Sequence, residues 1–123
     1  MSRTVSIALA MTAALCVGAT GAYAHPRLQA SNPAPGAKLN VAPKEIRMTF
    51  SEGLVAPFTG LELKNNSGKV ISTSKLTFAA GDARRIVVPI GARLTTGSYT
   101  VIWHAVSVDT HRISGSFTFK VVR

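Results

Sequence analysis

The chain has 123 residues, one cysteine and a formal net charge of +9 at pH 7, with 14 Lys and Arg against five Asp and Glu. This length excludes a large multidomain protein, and a single cysteine excludes an internal disulfide. Because the basic residues are spread along the chain and only Arg84 and Arg85 are adjacent, the composition argues against nucleic-acid binding, which usually needs clustered charge.

Residues 1–24 have the three parts of a secretory signal peptide. A basic start at Arg3 precedes a long apolar stretch, and a small-x-small cleavage site ends at Ala24. We therefore expect cleavage after Ala24 and export of a single mature domain, residues 25–123. Cleavage would make His25 the N-terminal residue, with a free α-amine and an imidazole on the same residue.

Two other interpretations of this segment are weaker. Gly18 and other polar or small residues interrupt the apolar stretch before it reaches the roughly 20 residues that a membrane anchor needs. A lipoprotein anchor on Cys16 would need a small residue before the cysteine, but Leu15 stands there. Cys16 is expected to leave with the signal peptide, so the mature chain has no thiol for metal binding.

After residue 24 the pattern is one of short strands and turns, with no helical period. In residues 45–50 apolar and polar side chains alternate, so that Ile46, Met48 and Phe50 share one face. Turn-type sequences at residues 31–36 and 65–68 punctuate the chain. The other predicted strands are residues 61–64, 69–72, 76–78, 85–90, 99–106 and 116–122.

Seven short strands in about 100 residues predict an all-β fold, a Greek-key β-sandwich or barrel of the immunoglobulin-like or cupredoxin-like type. Leu94, Gly97 and Tyr99, just before a long strand, are typical of a tyrosine corner, in which the tyrosine hydroxyl binds backbone a few residues upstream. The alternative is an ordinary core tyrosine after a loop. Trp103 is predicted in the core, and His104, its neighbour, on the exposed face of the strand.

The candidate metal ligands are His25 and the pair Asp109 and His111. On extended backbone, residues i and i+2 point to the same side, so the carboxylate and imidazole of the pair would face one ion. Together with the amine and ring of His25 they form a set of three nitrogens and one oxygen. Such a set suits Cu(II), which heads the divalent affinity order, although Zn(II) accepts the same ligands in a tetrahedron. Pro26 has no N–H to lose, so chelation through successive backbone amides is blocked.

Several segments resemble the CopC family of periplasmic copper-resistance proteins. They are residues 25–28, 31–36, 50–52, 99–103 and 106–111. The resemblance implies a small periplasmic β-sandwich that binds one Cu(II) per chain through His25, Asp109 and His111. It also implies that Glu52 is either a weak ligand, or a neighbour of the ligands, or a plain surface carboxylate.

The same resemblance implies a monomer that sequesters or transports copper, or confers resistance to it, with an inner-membrane copper transport protein as partner. Some family members carry a Met-rich loop for Cu(I). Here only Met48 remains after the signal peptide, and its place on an apolar strand face predicts a core residue, so we expect no Cu(I) site. We expect no enzyme activity. The alternatives are a copper-dependent oxidative enzyme of the histidine-brace type and a structural sandwich without metal.

Overall fold

The computed structural model describes residues 26–123. The predicted signal peptide and His25 lie outside the described residues. Within the described part of the chain, no helix has both the length and the apolar character needed to cross a membrane.

Two β-sheets account for nearly all regular structure between residues 26 and 123, and their nine strands are numbered in chain order. They are β1 (Leu28–Asn32), β2 (Lys38–Leu39), β3 (Glu45–Phe50), β4 (Gly60–Asn65), β5 (Val70–Ile71), β6 (Thr77–Phe78), β7 (Arg85–Pro89), β8 (Gly97–Val106) and β9 (Arg112–Val121). Two short 3-10 helices, Ala56–Phe58 and Ala79–Gly81, complete the regular structure.

The two sheets form a β-sandwich. One has the strand order β1-β3-β7-β6, and the other has the order β2-β9-β8-β4-β5. The chain crosses between the sheets after β1, β2, β3, β5 and β7, and every pairing is antiparallel except that of β2 with β9. The predicted all-β sandwich is confirmed.

The core lies between the sheets and consists of alternate residues of the longer strands, as the alternation predicts. Two aromatic pairs fill its centre. Phe50 meets Trp103 edge to face at 5.3 Å between ring centroids, and Tyr99 stacks on Phe119 at 5.4 Å. The strand residues buried in the core are Ile46, Met48, Phe50, Leu63, Ile86, Val88, Tyr99, Val101, Trp103, Ala105, Phe117, Phe119 and Val121.

The tyrosine corner is also confirmed. The Tyr99 hydroxyl donates a hydrogen bond to the backbone oxygen of Thr95 at 2.7 Å, while its ring remains buried. A buried hydroxyl without a partner would be costly, so this bond fixes the loop that enters β8. The corner lies at the end of the sandwich where β8 begins.

All seven predicted strands are present, but β1 and β2 were not predicted. The turn expected at residues 31–36 begins later, because β1 continues to Asn32. β1 lies at a sheet edge and pairs only with β3, with a register shift between Leu28 and Ala30. Its residues are half-buried or exposed without regular alternation, so the sequence lacks the period on which strand prediction rests.

β9 begins at Arg112, four residues before the predicted start at Ser116. The early part includes Gly115, which weakens a strand by propensity. Here the glycine is required by packing, because a Cβ atom on Gly115 would come within 2.6 Å of Trp103 Cζ2. The indole of Trp103 lies against the backbone of β9 at Gly115. A glycine is therefore needed there, and the sequence of this half of β9 lacks the residue types typical of a strand.

Candidate metal centre

The predicted pair Asp109 and His111 lies in the connection between β8 and β9, at one end of the sandwich. This connection is tightly hydrogen-bonded. The backbone N–H of Ser107 donates to the oxygen of His111 at 2.9 Å, and the N–H of Thr110 donates to the oxygen of Ser107 at 2.9 Å. The backbone therefore fixes both members of the pair relative to the ends of two long strands.

The structure brings the two side chains together. His111 Nδ1 lies 3.1 Å from Asp109 Oδ2. The side chain of His111 is 35% exposed and that of Asp109 is 49% exposed, although the Nδ1 atom of His111 is itself buried. An adjacent imidazole nitrogen and carboxylate oxygen are donors of the type that Cu(II) and Zn(II) accept.

The reason for this proximity is not the one the sequence suggested. We predicted extended backbone through Asp109, Thr110 and His111, and this is wrong, because Asp109 lies in a turn closed by the hydrogen bond from Thr110 to Ser107, and β9 starts only at Arg112. Thr110 has φ of +72°, in the left-handed region that β-branched residues seldom occupy. The side chains at i and i+2 meet because the chain turns, not because a strand alternates.

Replacing Thr110 with glycine should raise the free energy of unfolding by about 0.5–1 kcal/mol. A left-handed conformation costs an L-residue about 1–2 kcal/mol, and glycine adopts it freely at some entropic cost. Urea unfolding measures the difference. Thr118→Gly is the matched control, because Thr118 is exposed within β9 and glycine should lower stability there. A loss of stability in Thr110→Gly would contradict this reasoning.

A buried hydroxyl that we did not predict organises the pair. Ser107 is 0% exposed. Its hydroxyl donates to Asp109 Oδ1 and accepts the backbone N–H of His111 at 3.2 Å. One side chain therefore contacts both residues of the pair.

The carboxyl group of Asp109 is held in its charged form. The hydrogen bond from the Ser107 hydroxyl, and after it the one from His111, lower the pKa of Asp109 below its usual value of 3.8. The group is thus ionised near neutral pH, which is the state a metal ligand requires.

The loop after β3 packs against this turn. Leu54 forms an isolated antiparallel bridge with Ser107, and the N–H of Val108 donates to the oxygen of Gly53 at 2.9 Å. Glu52, the other predicted acidic residue, is a half-buried member of the same loop. Glu52 therefore lies at the same end of the sandwich as the Asp109–His111 pair.

The first described residues also lie at this end. Arg27 is bound on both sides to Ser51, since its N–H donates to Ser51 Oγ at 2.8 Å and its oxygen accepts the Ser51 N–H at 2.9 Å. Pro26 is buried. The first described residues are thus hydrogen-bonded to Ser51, the residue before Glu52, while His25 lies outside the described residues.

Residues 26–123 contain no group of three His, Cys, Asp or Glu side chains close enough to hold a metal ion. Among these residues the Asp109–His111 pair therefore has no third side chain of this kind beside it, and Glu52 does not join it in such a group. Two other predictions are confirmed: Met48 is core, with 1% of its surface exposed, and His104 is exposed on β8.

These features define a class of protein, a small β-sandwich with an incomplete nitrogen and oxygen donor set at one end. Within that class, the chain belongs to the CopC family, because the family model described as the CopC domain matches residues 28–122. This confirms the family that the sequence motifs indicated.

Individual relatives agree. The chain is 36% identical to protein YobA of Escherichia coli K12 over 121 residues, which are 98% of this chain and 96% of the relative. It is 42% identical over 105 residues to copper resistance protein C of Pseudomonas syringae pv. tomato, covering 81% and 82% of the two chains. Its function is accordingly related to copper.

A solved crystal structure has the same fold. The crystal structure of PcoC, a methionine-rich copper resistance protein from Escherichia coli, matches with a TM-score of 0.71 and 34% identity. The match covers 80% of this chain and 100% of PcoC. The present chain differs in composition, since Met48 is its only methionine after residue 24.

Proposed function

We propose that the protein is a periplasmic Cu(II)-binding protein that holds one ion per chain. The ligands are the α-amine and imidazole of His25, the carboxylate of Asp109 and the imidazole of His111. The observation that carries this proposal is that the Asp109–His111 pair and the beginning of the mature chain lie at the same end of the sandwich.

The path between the two halves of the site is short and hydrogen-bonded. Arg27 is fixed to Ser51, and two residues further along that loop Gly53 is fixed to Val108, which adjoins Asp109. Residue 25 is two residues before Arg27, a distance of at most about 7 Å of extended chain. An N-terminal donor at residue 25 therefore has a short distance to cover to complete the pair.

The donor chemistry supports the oxidised ion. Soft thioethers select Cu(I), whereas imidazole, amine and carboxylate groups suit Cu(II). Met48 is buried in the core and cannot serve as a surface ligand, and Cys16 precedes the proposed cleavage site. We therefore propose binding of Cu(II) without a Cu(I) site.

We further propose binding rather than catalysis. Two of its relatives are named as protein YobA and copper resistance protein C. The Asp109 carboxylate would also stabilise Cu(II) and oppose the reduction that oxygen chemistry in a histidine-brace enzyme requires. The protein would act as a monomer that sequesters copper or passes it to an inner-membrane copper transport protein. The signal-peptide pattern of residues 1–24 supports the periplasmic location.

The decisive experiment compares a chain that begins at His25 with the same chain after acetylation of its α-amine. Acetylation removes the amine as a donor, and with it the six-membered chelate ring formed with the His25 imidazole, but it leaves residues 26–123 unchanged. With one equivalent of Cu(II), electron paramagnetic resonance should show a tetragonal ion with three nitrogen donors only in the chain whose α-amine is free.

Competition with a chelator should show an affinity at least about 100-fold lower for the acetylated chain, a difference of about 2.7 kcal/mol. Equal affinity and identical spectra for the two chains would contradict the N-terminal chelate. An absence of Cu(II) binding by both chains would reject the proposed function altogether.

A further inference from the structure

We propose that Ser107 is the positioning residue of the metal centre, and that its hydroxyl sets the orientation in which Asp109 and His111 meet the ion. This inference rests on the proposed function, because it concerns the same ligands. It goes beyond that function by assigning a role to a residue that is not a ligand. Ser107 is 0% exposed and lies beneath the Asp109–His111 pair.

The contacts of Ser107 are divided between the two ligands. Its hydroxyl donates to Asp109 Oδ1 and accepts from the backbone N–H of His111. Asp109 Oδ1 is thereby held, and Oδ2 is turned toward His111 Nδ1 at 3.1 Å. The serine therefore fixes the rotation of the carboxylate, with one oxygen held by its hydroxyl and the other beside the imidazole.

The backbone of Ser107 reinforces this arrangement. Its N–H donates to the oxygen of His111, its oxygen accepts from Thr110, and it bridges to Leu54. Because both strands and the neighbouring loop fix this residue, its hydroxyl occupies a defined position before any ion binds. Ligands that are held in advance bind a metal with less loss of conformational freedom, and partners of this kind typically change metal affinity by about 10–100-fold.

A purely structural role is the competing interpretation, and the chain contains a matched control for it. Thr59 is also buried, with 8% of its surface exposed. Its hydroxyl donates to the oxygen of Val55 at 3.0 Å and accepts the N–H of Val106 at 3.3 Å. Both hydroxyls thus fasten backbone at the same end of the sandwich, but only that of Ser107 contacts the Asp109–His111 pair.

The test measures Cu(II) affinity and stability for Ser107→Ala, Ser107→Thr and Thr59→Ala in chains that begin at His25. We expect Ser107→Ala to bind Cu(II) about 10–100-fold more weakly and to change the copper hyperfine splitting in electron paramagnetic resonance. Thr59→Ala should lose comparable thermal stability while its affinity stays within about twofold of wild type. Ser107→Thr retains the hydroxyl and should retain wild-type affinity and spectrum, even if its added methyl group lowers the melting temperature.

Wild-type affinity in folded Ser107→Ala would overturn the proposal, as would equal losses of affinity in Ser107→Ala and Thr59→Ala. If Ser107→Ala does not fold, Ser107→Thr decides the matter alone, because a loss of tenfold or more in that variant contradicts a role for the hydroxyl. Failure of the wild-type chain itself to bind Cu(II) would instead reject the proposed function, so the two failures are distinguishable.

Discussion

Replacing His111 with alanine should lower the affinity for Cu(II) by at least about 100-fold. Removal of a partner behind a ligand already costs about 10–100-fold, and here a proposed ligand itself is lost, the imidazole that lies 3.1 Å from Asp109 Oδ2. The remaining donors would be the proposed His25 chelate and a carboxylate. Isothermal titration or chelator competition on the chain that begins at His25 measures the change.

His104→Ala is the matched control for this variant. His104 is an exposed histidine of β8, the strand that leads directly into the candidate metal centre. It packs over Gly60, with its Cε1 atom 3.1 Å from where a Cβ on that glycine would be. The same substitution there should leave Cu(II) affinity within about twofold, because the Asp109–His111 pair remains intact.

The effect of Cu(II) on the melting temperature is a second, independent test of the same two variants. A ligand that binds only the folded state stabilises it by about 2.7 kcal/mol when its free concentration is 100 times the dissociation constant. Cu(II) should therefore raise the melting temperature of wild type and of His104→Ala. Undiminished copper affinity in His111→Ala, or equal stabilisation of all three chains by Cu(II), would remove His111 from the ligand set.

The sequence predicted the interior of the sandwich because burial on one face leaves a period of two. In β3 the alternation of apolar and polar residues corresponds to the buried row Ile46, Met48 and Phe50. The same period holds along β8, where Tyr99 and Trp103 are buried. Edge strand β1 has no such period, because Leu28 is the one apolar residue of this strand that packs against the core.

The candidate metal centre was predicted through its residue types rather than its geometry. Asp109 and His111 do lie together, but in a turn with Thr110 at a positive φ, which no propensity of threonine suggests. The sequence also contained an indication that Ser107 is important, which our prediction did not use. The buried row of β8 continues by one step of two from Ala105 to Ser107, and a polar residue in a core row must find hydrogen-bond partners.

The proposed N-terminal half of the site would be created by cleavage before His25, which lies outside the described residues. The structure contributes the position of Pro26 and the two hydrogen bonds between Arg27 and Ser51. These hydrogen bonds join the N-terminal segment to the residue that directly follows β3. A change in the packing of β3 can therefore alter the position of this segment. A substitution at the end of β3 thus has consequences for both the core and this segment.

Phe50→Ala should lower the free energy of unfolding by about 3–5 kcal/mol, the usual cost of truncating a fully buried aromatic side chain. Phe50 is 1% exposed and loses an edge-to-face contact with Trp103, a kind of contact worth about 0.5–1.5 kcal/mol beyond burial. Phe58→Ala is the matched control, since Phe58 is 61% exposed and should change stability by no more than about 0.5 kcal/mol. Urea unfolding followed by the fluorescence of Trp103, the single tryptophan, measures both.

Because Phe50 pairs with Leu28 in the register of β1 and β3, the same truncation should also loosen the N-terminal segment that Ser51 holds at Arg27. We therefore expect Phe50→Ala, at temperatures where it remains folded, to bind Cu(II) more weakly than Phe58→Ala. Amide hydrogen exchange at Arg27 and Ser51 should be faster in Phe50→Ala than in wild type. Equal stability of the two phenylalanine variants would contradict the packing of β3, whereas slow exchange with weak binding would place the loss in the Asp109–His111 turn instead.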